Sequence, residues 1–410
     1  MQRILIVGER FSTMLDYLNE HGYDYIVLKD IRRTKFPHKQ FKKRVVCDFS
    51  SKETILKTVD AIKKPIDGVI ATYENYILPA AWIAEHLELP GLPIKTAEAC
   101  TDKFLMRQLF ATAPEPISPD FAIINDEPDV RSFAKNHSFP LIIKPTNLAK
   151  SLLVSKNHNL EELLKNYHET MAQLQPVYDK YAPHRTPQLI VEEFLEGSIH
   201  SVDAFIDKNG EPQVLEHVVD YQTGYDIGFE DNFHYSRVLP SKLSLEDRDA
   251  LRHVAHLGAE ALGMKNTPAH IEIIMTKQGP RIVEIGARNG GYRERMHKLA
   301  NGIDITQAAV SLCLGEPIDV VGTKDEPCAV LELFPKEPGI FNGIANETAL
   351  QALPSLHYFS LKASLETFVG KASGGYKMCA VIILHHPDQA QFDKDLAFVN
   401  QHVAVKTLPR

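Results

Sequence analysis

Residues 270–291 have the sequence HIEIIMTKQGPRIVEIGARNGG, from which the expected architecture follows. Two apolar-rich runs flank residues 277–279, and a glycine at the end of such a short polar segment is typical of a β-hairpin. If these three residues form the loop, with Gly279 in the left-handed conformation, Glu272 and Glu284 lie directly opposite each other. Opposed residues point to the same face of a sheet, with Cβ atoms about 5 Å apart. The hairpin therefore predicts two adjacent carboxylates.

Two adjacent carboxylates repel each other unless a cation lies between them. Mg²⁺ prefers oxygen ligands, and proteins usually hold it with one or two carboxylates together with nucleotide phosphates. The alternative is that Glu272 and Glu284 are solvent-facing side chains on a polar strand face. The pair alone leaves both interpretations open, so residues elsewhere in the chain have to decide.

Further charged residues stand at defined places along the chain. Lys103 opens a predicted helix, and Lys144 ends a buried strand of sequence LIIKP, where a lysine needs an anion or water. The sequence VEEFLEG at 191–197 is typical of a strand followed by a glycine turn. Arg288 follows Glu284 by four residues. Each of these residues alone is more typical of a surface charge, but their joint order is unlikely to arise by chance.

In this order, the features resemble the ATP-grasp superfamily over roughly residues 1–310. The sequences HSVDA at 200–204 and VEIGAR at 283–288, followed by NGID at 301–304, are similar to one branch of it. That branch contains carboxylate–amine ligases, including the bacterial L-amino-acid (dipeptide) ligases. The resemblance implies an ATP-grasp fold of α/β and α+β class, with a doubly wound N-terminal α/β domain and a small C-terminal α+β domain.

The resemblance also implies roles for individual residues. Lys103 and Lys144 are expected to bind nucleotide phosphates, and Glu272 and Glu284 to bind Mg²⁺, with Mn²⁺ as a substitute. Arg288 is expected to stabilise charge on the transferred phosphoryl group. The residues expected to face adenine are Glu192, Glu193, Phe194 and Leu195, with Glu192 taking the exocyclic amine through backbone or side-chain contacts.

The chain departs from the family pattern in three places. The phosphate-covering loop of many members is rich in glycine, but residues 145–151 contain none, so Lys150 and Ser151 are expected to contact phosphate through their side chains. Gly286 stands where many members carry a metal-binding asparagine, so either Asn289 replaces it or metal binding relies on the glutamates. Ile199 aligns with the acid that binds ribose in some members, so the sequence names no ribose partner.

The implied reaction activates a carboxylate with ATP as an acyl phosphate, which an amine then attacks to form an amide, releasing ADP and phosphate. The expected substrates are a small-molecule carboxylate and an amine, with amino acids as candidates. Two segments are candidates for the substrate pocket, namely 217–237, for which a long surface loop is the alternative, and 288–295. The candidate substrate contacts are Tyr221, Asp226, Asp231, His234, Arg237, Gly290, Gly291 and Arg293.

Three domains are predicted. Residues 1–100 alternate strand-like and helix-like segments, which predicts a parallel, doubly wound α/β domain. Its first strand ends in GERF and lacks the GxGxxG of dinucleotide-binding sites, which argues against a redox cofactor. Residues 101–310 are expected to form the nucleotide-binding domain, with a lid at about 120–195. Residues 311–410 are expected to form the C-terminal domain.

Composition excludes several function classes. The 410 residues are 44% hydrophobic with a net charge of −8, which is typical of a globular protein and argues weakly against nucleic-acid binding. The sequence predicts no membrane span and no signal peptide. The five cysteines include no CxxC pair and fit free thiols in the cytoplasm. The sequence also lacks the Gly-x-Ser-x-Gly elbow of acyl-enzyme chemistry.

Two other functions compete with the ligase. A non-catalytic, regulatory nucleotide-binding protein is motivated by the glycine-free loop and by Gly286. A biotin-carboxylase-like subunit shares the fold, although the chain lacks the Met-Lys-Met of a fused biotin carrier. Related ligases are often dimers, so a homodimer is a further expectation.

Overall fold

The computed structural model describes residues 1–8, 12–33, 43–148, 152–181 and 185–409. The N-terminal region is a parallel sheet with helices on both faces, in strand order β3-β2-β1-β4. Leu5 and Val7 pack toward one face of the sheet, and Ile4 and Ile6 toward the other. The elements are β1 (Arg3–Val7), α1 (Ser12–Glu20), β2 (Asp24–Asp30), β3 (Arg44–Cys47), α2 (Lys52–Asp60), β4 (Gly68–Ala71), α3 (Ile77–His86) and α4 (Ile94–Cys100).

A second sheet, antiparallel and in strand order β5-β8-β6-β7, occupies the segment predicted to be the lid, and it is called the lid below. Its core packs alternate strand residues such as Ile143 and Val191 against α6 and α7, because successive side chains of a strand point to opposite faces. The elements from the first helix of the central region are α5 (Lys103–Phe110), β5 (Phe121–Ile124), α6 (Glu127–Asn136), β6 (Leu141–Pro145), β7 (Ser155–Asn157), α7 (Leu160–Tyr181) and β8 (Leu189–Glu193).

The largest sheet has eight strands in the order β13-β12-β9-β10-β11-β14-β18-β16. One face carries Val202, Ala204 and Ile271, which pack beneath α8, whereas Ser201 and Glu272 point to the other face. Its central elements are β9 (Gly197–Ile206), β10 (Pro212–Thr223), β11 (His234–Leu239), α8 (Leu245–Ala261), β12 (Thr267–Thr276), β13 (Gly279–Gly286), α9 (Arg293–Ala300) and α10 (Ile305–Cys313).

The C-terminal region adds three strands to this large sheet, because β14 pairs with β11. The predicted domain change at 310 is therefore not a break in the sheet. A separate sheet has the order β17-β15-β19. The remaining elements are β14 (Cys328–Leu333), β15 (Gly339–Ile344), α11 (Glu347–Gln351), β16 (Leu356–Leu361), β17 (Phe368–Val369), β18 (Ala380–His385), α12 (Gln389–His402) and β19 (Val405–Leu408).

The mixed α/β and α+β architecture confirms the predicted fold class. All five cysteines are buried and unpaired, as predicted. Among the described helices, none combines the length and the apolar character needed to cross a membrane.

Candidate nucleotide and metal site

The β12–β13 hairpin places Glu272 opposite Glu284, which confirms the predicted pairing. The predicted three-residue loop is wrong, because Thr276 pairs with Gly279 and only two residues form the turn. The extra residue is instead Val283, where the strand register shifts by one. This β-bulge restores the opposition of the two glutamates that the longer loop was expected to produce.

Two positively charged side chains lie against the two carboxylates. Lys103 Nζ lies 3.3 Å from Glu284 Oε2, and His270 Nε2 lies 3.6 Å from Glu272 Oε1. Burial alone would raise the pKa of Glu272, but the hydrogen bond from His270 and the nearby positive charges hold it well below its usual value. Glu272 therefore stays ionised, which is the form that a divalent cation requires.

Arg288 lies among three carboxylates. Its Nε is 3.3 Å from Glu74 Oε2, and Glu74, Glu284 and Glu272 all raise its pKa, although burial opposes them. Glu74 follows β4 in the N-terminal sheet, so two regions of the chain meet at this guanidinium. Burial raises the pKa of Glu74, and Arg288 opposes that shift.

Lys144 belongs to a buried cluster at the lid. Its Nζ lies 2.5 Å from Glu192 Oε2, and Arg107 Nε lies 2.9 Å from Glu192 Oε1. Burial, opposed by Glu192 and assisted by Arg107 and Lys103, lowers the pKa of Lys144 to about 8. The Glu192 carboxylate is therefore already paired with two cations, which argues against the adenine contact predicted for its side chain.

Glu192 lies in β8, between β5 and β6 of this sheet. The segment that follows lines a cleft of about 690 Å³ with Pro140 and Lys156. In this cleft, Lys156 Nζ lies 3.7 Å from the centre of the Phe194 ring. Glu193 Oε2 accepts a hydrogen bond from Asp120 N at 3.1 Å. Phe194 and Leu195 thus line a space suited to a planar base.

The first turn of α5 is tied to the segment after β6. The Asp102 side chain caps the helix, Lys103 N donates to Thr146 O at 2.7 Å, and Lys103 Nζ donates to Leu148 O at 3.3 Å. These contacts bring Lys103 to the end of the strand that carries Lys144. The two residues predicted to contact phosphate in the following loop, Lys150 and Ser151, lie outside the described residues.

A buried polar network underlies Glu272. Asp203 accepts from His270 Nδ1 at 2.8 Å and from His297 Nε2 at 2.9 Å. Tyr221 and Asp203 raise the pKa of His270 to about 9 against the opposing effect of burial, which is the largest single effect. The network thus holds a positively charged imidazole against the inner glutamate of the pair.

Arg293, predicted to contact substrate, is 0% exposed. It donates to Ser201 Oγ at 2.9 Å and to Tyr221 Oη at 2.6 Å, and its Nε lies 3.4 Å from Asp203 Oδ2. That prediction is wrong, because burial leaves the guanidinium no access to a diffusing molecule. The role that remains for Arg293 and for the Tyr221 hydroxyl is to support the site from below.

The two glycines of the candidate anion site differ. A Cβ at Gly290 would collide with the His270 ring, so the close approach of the chain to the buried network requires glycine there. A Cβ at Gly291 would meet nothing within 4 Å, so Gly291 borders open space. Tyr292, which follows, has φ of 64°, a strained value for a bulky residue.

A second charged cluster lies on the same sheet face as Glu272. The strand registers place Ser201, Tyr221, Arg237 and Glu332 on that face. Glu332 is 8% exposed; it accepts from Tyr292 Oη at 2.8 Å and lies 3.2 Å from Arg237 Nη1. The pair brings one positive and one negative group together beside the glutamates.

His234 connects this cluster to the glutamate pair. Burial lowers the pKa of His234, and the carboxylates of Glu272 and Glu332 act in the opposite direction, so the ring lies close to both. Its edge meets the Tyr221 ring with the centroids 4.7 Å apart. His234 and Arg237 therefore lie with Tyr221 on this side of the site, and all three are predicted substrate residues.

Two predicted substrate contacts are engaged elsewhere. Asp226 accepts from Thr223 N at 2.6 Å within its own turn, and Asp231 accepts from the backbone N–H groups of Ala372 and Ser373. These bonds fix loop conformations. Both oxygens of the buried Asp231 are engaged, so that prediction is corrected, whereas only Oδ2 of the exposed Asp226 is bonded within its turn, so its substrate contact stays a prediction. Segment 217–237 is also no long surface loop, since β10 and β11 account for most of it.

Sequence reasoning missed four charged residues that the structure brings to the site, namely Glu74, Arg107, Asp203 and Glu332. Arg107 had a signal, because it stands one helical turn after Lys103 on the same face of α5. Glu74 also had one, because it follows the carboxyl end of a parallel strand, where ligands of such sheets bind. Asp203 stood within a quoted motif without a role, and no local pattern marks Glu332.

The donor set suits a magnesium ion. Glu272 and Glu284 offer carboxylate oxygens from one sheet face, and the cations beside them show that this position favours positive charge. Asn289 donates its amide N–H to Ile305 O at 3.2 Å, while its Oδ1, the atom that would bind a metal, is buried without a hydrogen-bond partner among the described residues. Glu272 and Glu284 are thus residues that fit the ion, and the Asn289 oxygen is not engaged in a bond that would exclude it.

Comparison with known proteins agrees with this geometry. Residues 137–294 match the family described as ATP-grasp domain. The alanine–anticapsin ligase of Bacillus subtilis is 27% identical over 306 residues, which are 70% of this chain and 62% of that protein. The chain thus spans less than two thirds of this relative.

Solved structures share the whole architecture. The L-amino acid ligase of Bacillus licheniformis superimposes with a TM-score of 0.81 at 18% identity, covering 100% of this chain and 99% of that one. The biotin carboxylase of Campylobacter jejuni gives a TM-score of 0.70 at 13% identity over 98% and 92% of the two chains. At these identities the likeness concerns the fold.

Proposed function

We propose that the chain, whose residues 137–294 match the ATP-grasp domain family, is an ATP-dependent carboxylate–amine ligase that releases ADP and phosphate. The observation that carries the proposal is the opposed pair Glu272 and Glu284, with Lys103 against one glutamate and Arg288 four residues further along the chain. This arrangement offers a metal-binding face and positive groups on one side, which phosphoryl transfer to a carboxylate requires.

The residues divide the proposed reaction between them. Lys103 and Lys144 bind and orient the phosphates, and Phe194 and Leu195 line the base cleft. The substrate carboxylate attacks the γ-phosphate, and Arg288 stabilises the negative charge that spreads over the transferred group. Glu272 and Glu284 would hold Mg²⁺, which supplies further neutralisation of phosphate charge when bound. An amine then displaces phosphate from the acyl phosphate to give the amide.

The substrate side suits a zwitterion. Arg237 and Glu332 are paired with each other at 3.2 Å, and a zwitterion that inserts between them would replace this ion pair by two, its α-carboxylate on Arg237 and its α-ammonium group on Glu332. The relative that joins alanine to anticapsin supports amino acids as substrates. We therefore propose amino acids for at least one of the two substrates.

The test is a panel of amino acids assayed for ADP release with Mg²⁺ and ATP. We expect ADP to form at an appreciable rate only when a carboxylate and an amine acceptor are both present, with a new amide detected by mass spectrometry. Nucleotide binding without turnover on a broad panel would favour a regulatory protein. ATP hydrolysis that depends on bicarbonate would favour a biotin-carboxylase-like activity. Glu260→Gln, an exposed change on α8, is the matched control for handling and folding.

A pH dependence follows from Lys144. With the pKa at about 8, the ammonium is present at pH 7 and lost as the pH rises above 8, while bound phosphates favour its charged form. We expect the dissociation constant of ATP to rise about tenfold per pH unit above pH 8. Calorimetry in buffers of different ionisation enthalpy should show proton uptake on binding there.

Lys144→Met separates this effect from other titrations. The variant should bind ATP more weakly at pH 7 and lose most of the dependence between pH 8 and 9.5. An ATP affinity that stays constant over this range in the unaltered protein would contradict the assignment of Lys144 as a phosphate ligand.

A further inference from the structure

Arg107 is a large buried charge that the proposed reaction does not use. It is 0% exposed and projects from α5, one turn after Lys103. Its Nε lies 2.9 Å from Glu192 Oε1 in the lid, and its Nη2 donates to Val283 O at 2.7 Å in the large sheet. One guanidinium thus joins a strand of the lid to a strand of the metal-facing hairpin.

The contact with Val283 has a specific cause. Val283 is the extra residue of the β-bulge, so its backbone groups are displaced from the regular ladder. A buried carbonyl without a donor costs free energy, and Arg107 Nη2 supplies the donor. Because Glu284 is the next residue, the same bond fixes the backbone that places its carboxylate opposite Glu272.

The contact with Glu192 acts on the phosphate side. Glu192 holds Lys144 and Arg107 at once, so one carboxylate is shared by two cations and the cluster keeps an excess positive charge. Without Arg107, the Glu192 carboxylate would pair with Lys144 alone and cancel its charge. The attraction of Lys144 for phosphate would then be weaker. Lys144, Arg107, Lys103 and Glu192 are the charged groups that act on one another here.

We infer that Arg107 is a positioning residue that couples the phosphate-binding lysine of the lid to the metal-facing carboxylate of the hairpin. A guanidinium suits this role because its planar fork can donate in two directions, whereas an ammonium has a single centre. The inference rests on the proposed function for the identity of the ligands, and binding measurements test it without turnover.

The experiment compares Arg107→Lys with Arg131→Lys, a matched exchange at an exposed ion pair of α6. Two constants are measured by calorimetry, the dissociation constant of ATP without metal and the Mg²⁺ concentration that half-saturates the ATP complex. We expect both constants to rise about tenfold in Arg107→Lys, which is the usual loss of affinity when a residue that holds a ligating side chain in place is replaced. Neither constant should change in Arg131→Lys.

A purely structural role predicts another pattern. Arg107→Lys would then melt at a lower temperature while both constants stayed at their original values, and this result would overturn the inference. If Arg107→Lys does not fold, Glu192→Asp is measured instead. Within the described part of the chain, the charged partners of Glu192 are Lys144 and Arg107, not Glu272 or Glu284. A raised Mg²⁺ requirement in Glu192→Asp therefore supports coupling through Arg107, and an unchanged requirement rejects it. If the unaltered protein does not bind ATP, the proposed function itself is contradicted. That result differs from ATP binding that is unaffected by Arg107→Lys, which contradicts the coupling alone.

Discussion

Replacing Arg288 with methionine is expected to lower the turnover number about 100- to 1000-fold. This is the usual effect of removing one preorganised group that stabilises the charge developing in the transition state. The guanidinium lies among Glu74, Glu272 and Glu284, which hold it ionised and in place. In the proposed reaction, the charge of Arg288 stabilises the transition state of phosphoryl transfer more than it stabilises bound ATP. ATP affinity should therefore change only a few-fold, so the loss appears in kcat.

The measurement pairs a coupled ADP assay with calorimetric ATP binding. Arg252→Met, an exchange of a partly exposed arginine on α8, is the control and should leave both values unchanged. Equal losses in kcat and in ATP affinity would show that Arg288 binds the ground state, and an unchanged kcat would remove it from the chemistry.

Neutralising the opposed glutamates is expected to have a larger effect. Glu284→Gln and Glu272→Gln each remove one anionic oxygen ligand while keeping the side-chain volume. Because a bound metal contributes several kcal/mol to stabilising transferred charge, each variant should lose about 1000-fold in turnover at a fixed Mg²⁺ concentration. Titration with Mg²⁺ and Mn²⁺ should show a higher requirement for either ion.

The two variants should differ in stability. Glu272 contacts the His270 imidazole, whose pKa of about 9 depends on carboxylates around it, whereas Glu284 is 39% exposed and faces Lys103. Glu272→Gln is therefore expected to melt at a lower temperature than Glu284→Gln. A metal requirement unchanged in both variants would place the ion elsewhere and remove the observation on which the ligase proposal rests.

The parts predicted from sequence depend on short-range geometry. The opposition of Glu272 and Glu284 follows from a turn only a few residues away, and it survived a wrong loop length because the bulge at Val283 supplies the same one-residue offset. The parallel N-terminal sheet follows from alternating strands and helices in the same way.

The parts not predicted depend on contacts between distant residues. Arg107 meets Glu192 and Val283, 85 and 176 positions away, and Asp231 meets the backbone near residue 372. Local patterns do not encode which charged residue is enclosed, so Arg293 was expected at the surface of the pocket and lies fully buried instead. The pairing of β11 with β14 likewise joins strands that are far apart in the sequence, so no local pattern predicts it.

The pairing of β11 with β14 constrains how the proposed ligase could acquire new specificities. Glu332 reaches the proposed substrate side only because β14 is in register with the strand that carries Arg237. A chimera that carries another C-terminal segment after residue 311 would have to reproduce the β11–β14 strand pairing as well as the pocket residues. Diversification by exchange of whole segments is therefore disfavoured compared with point changes along β11 and β14.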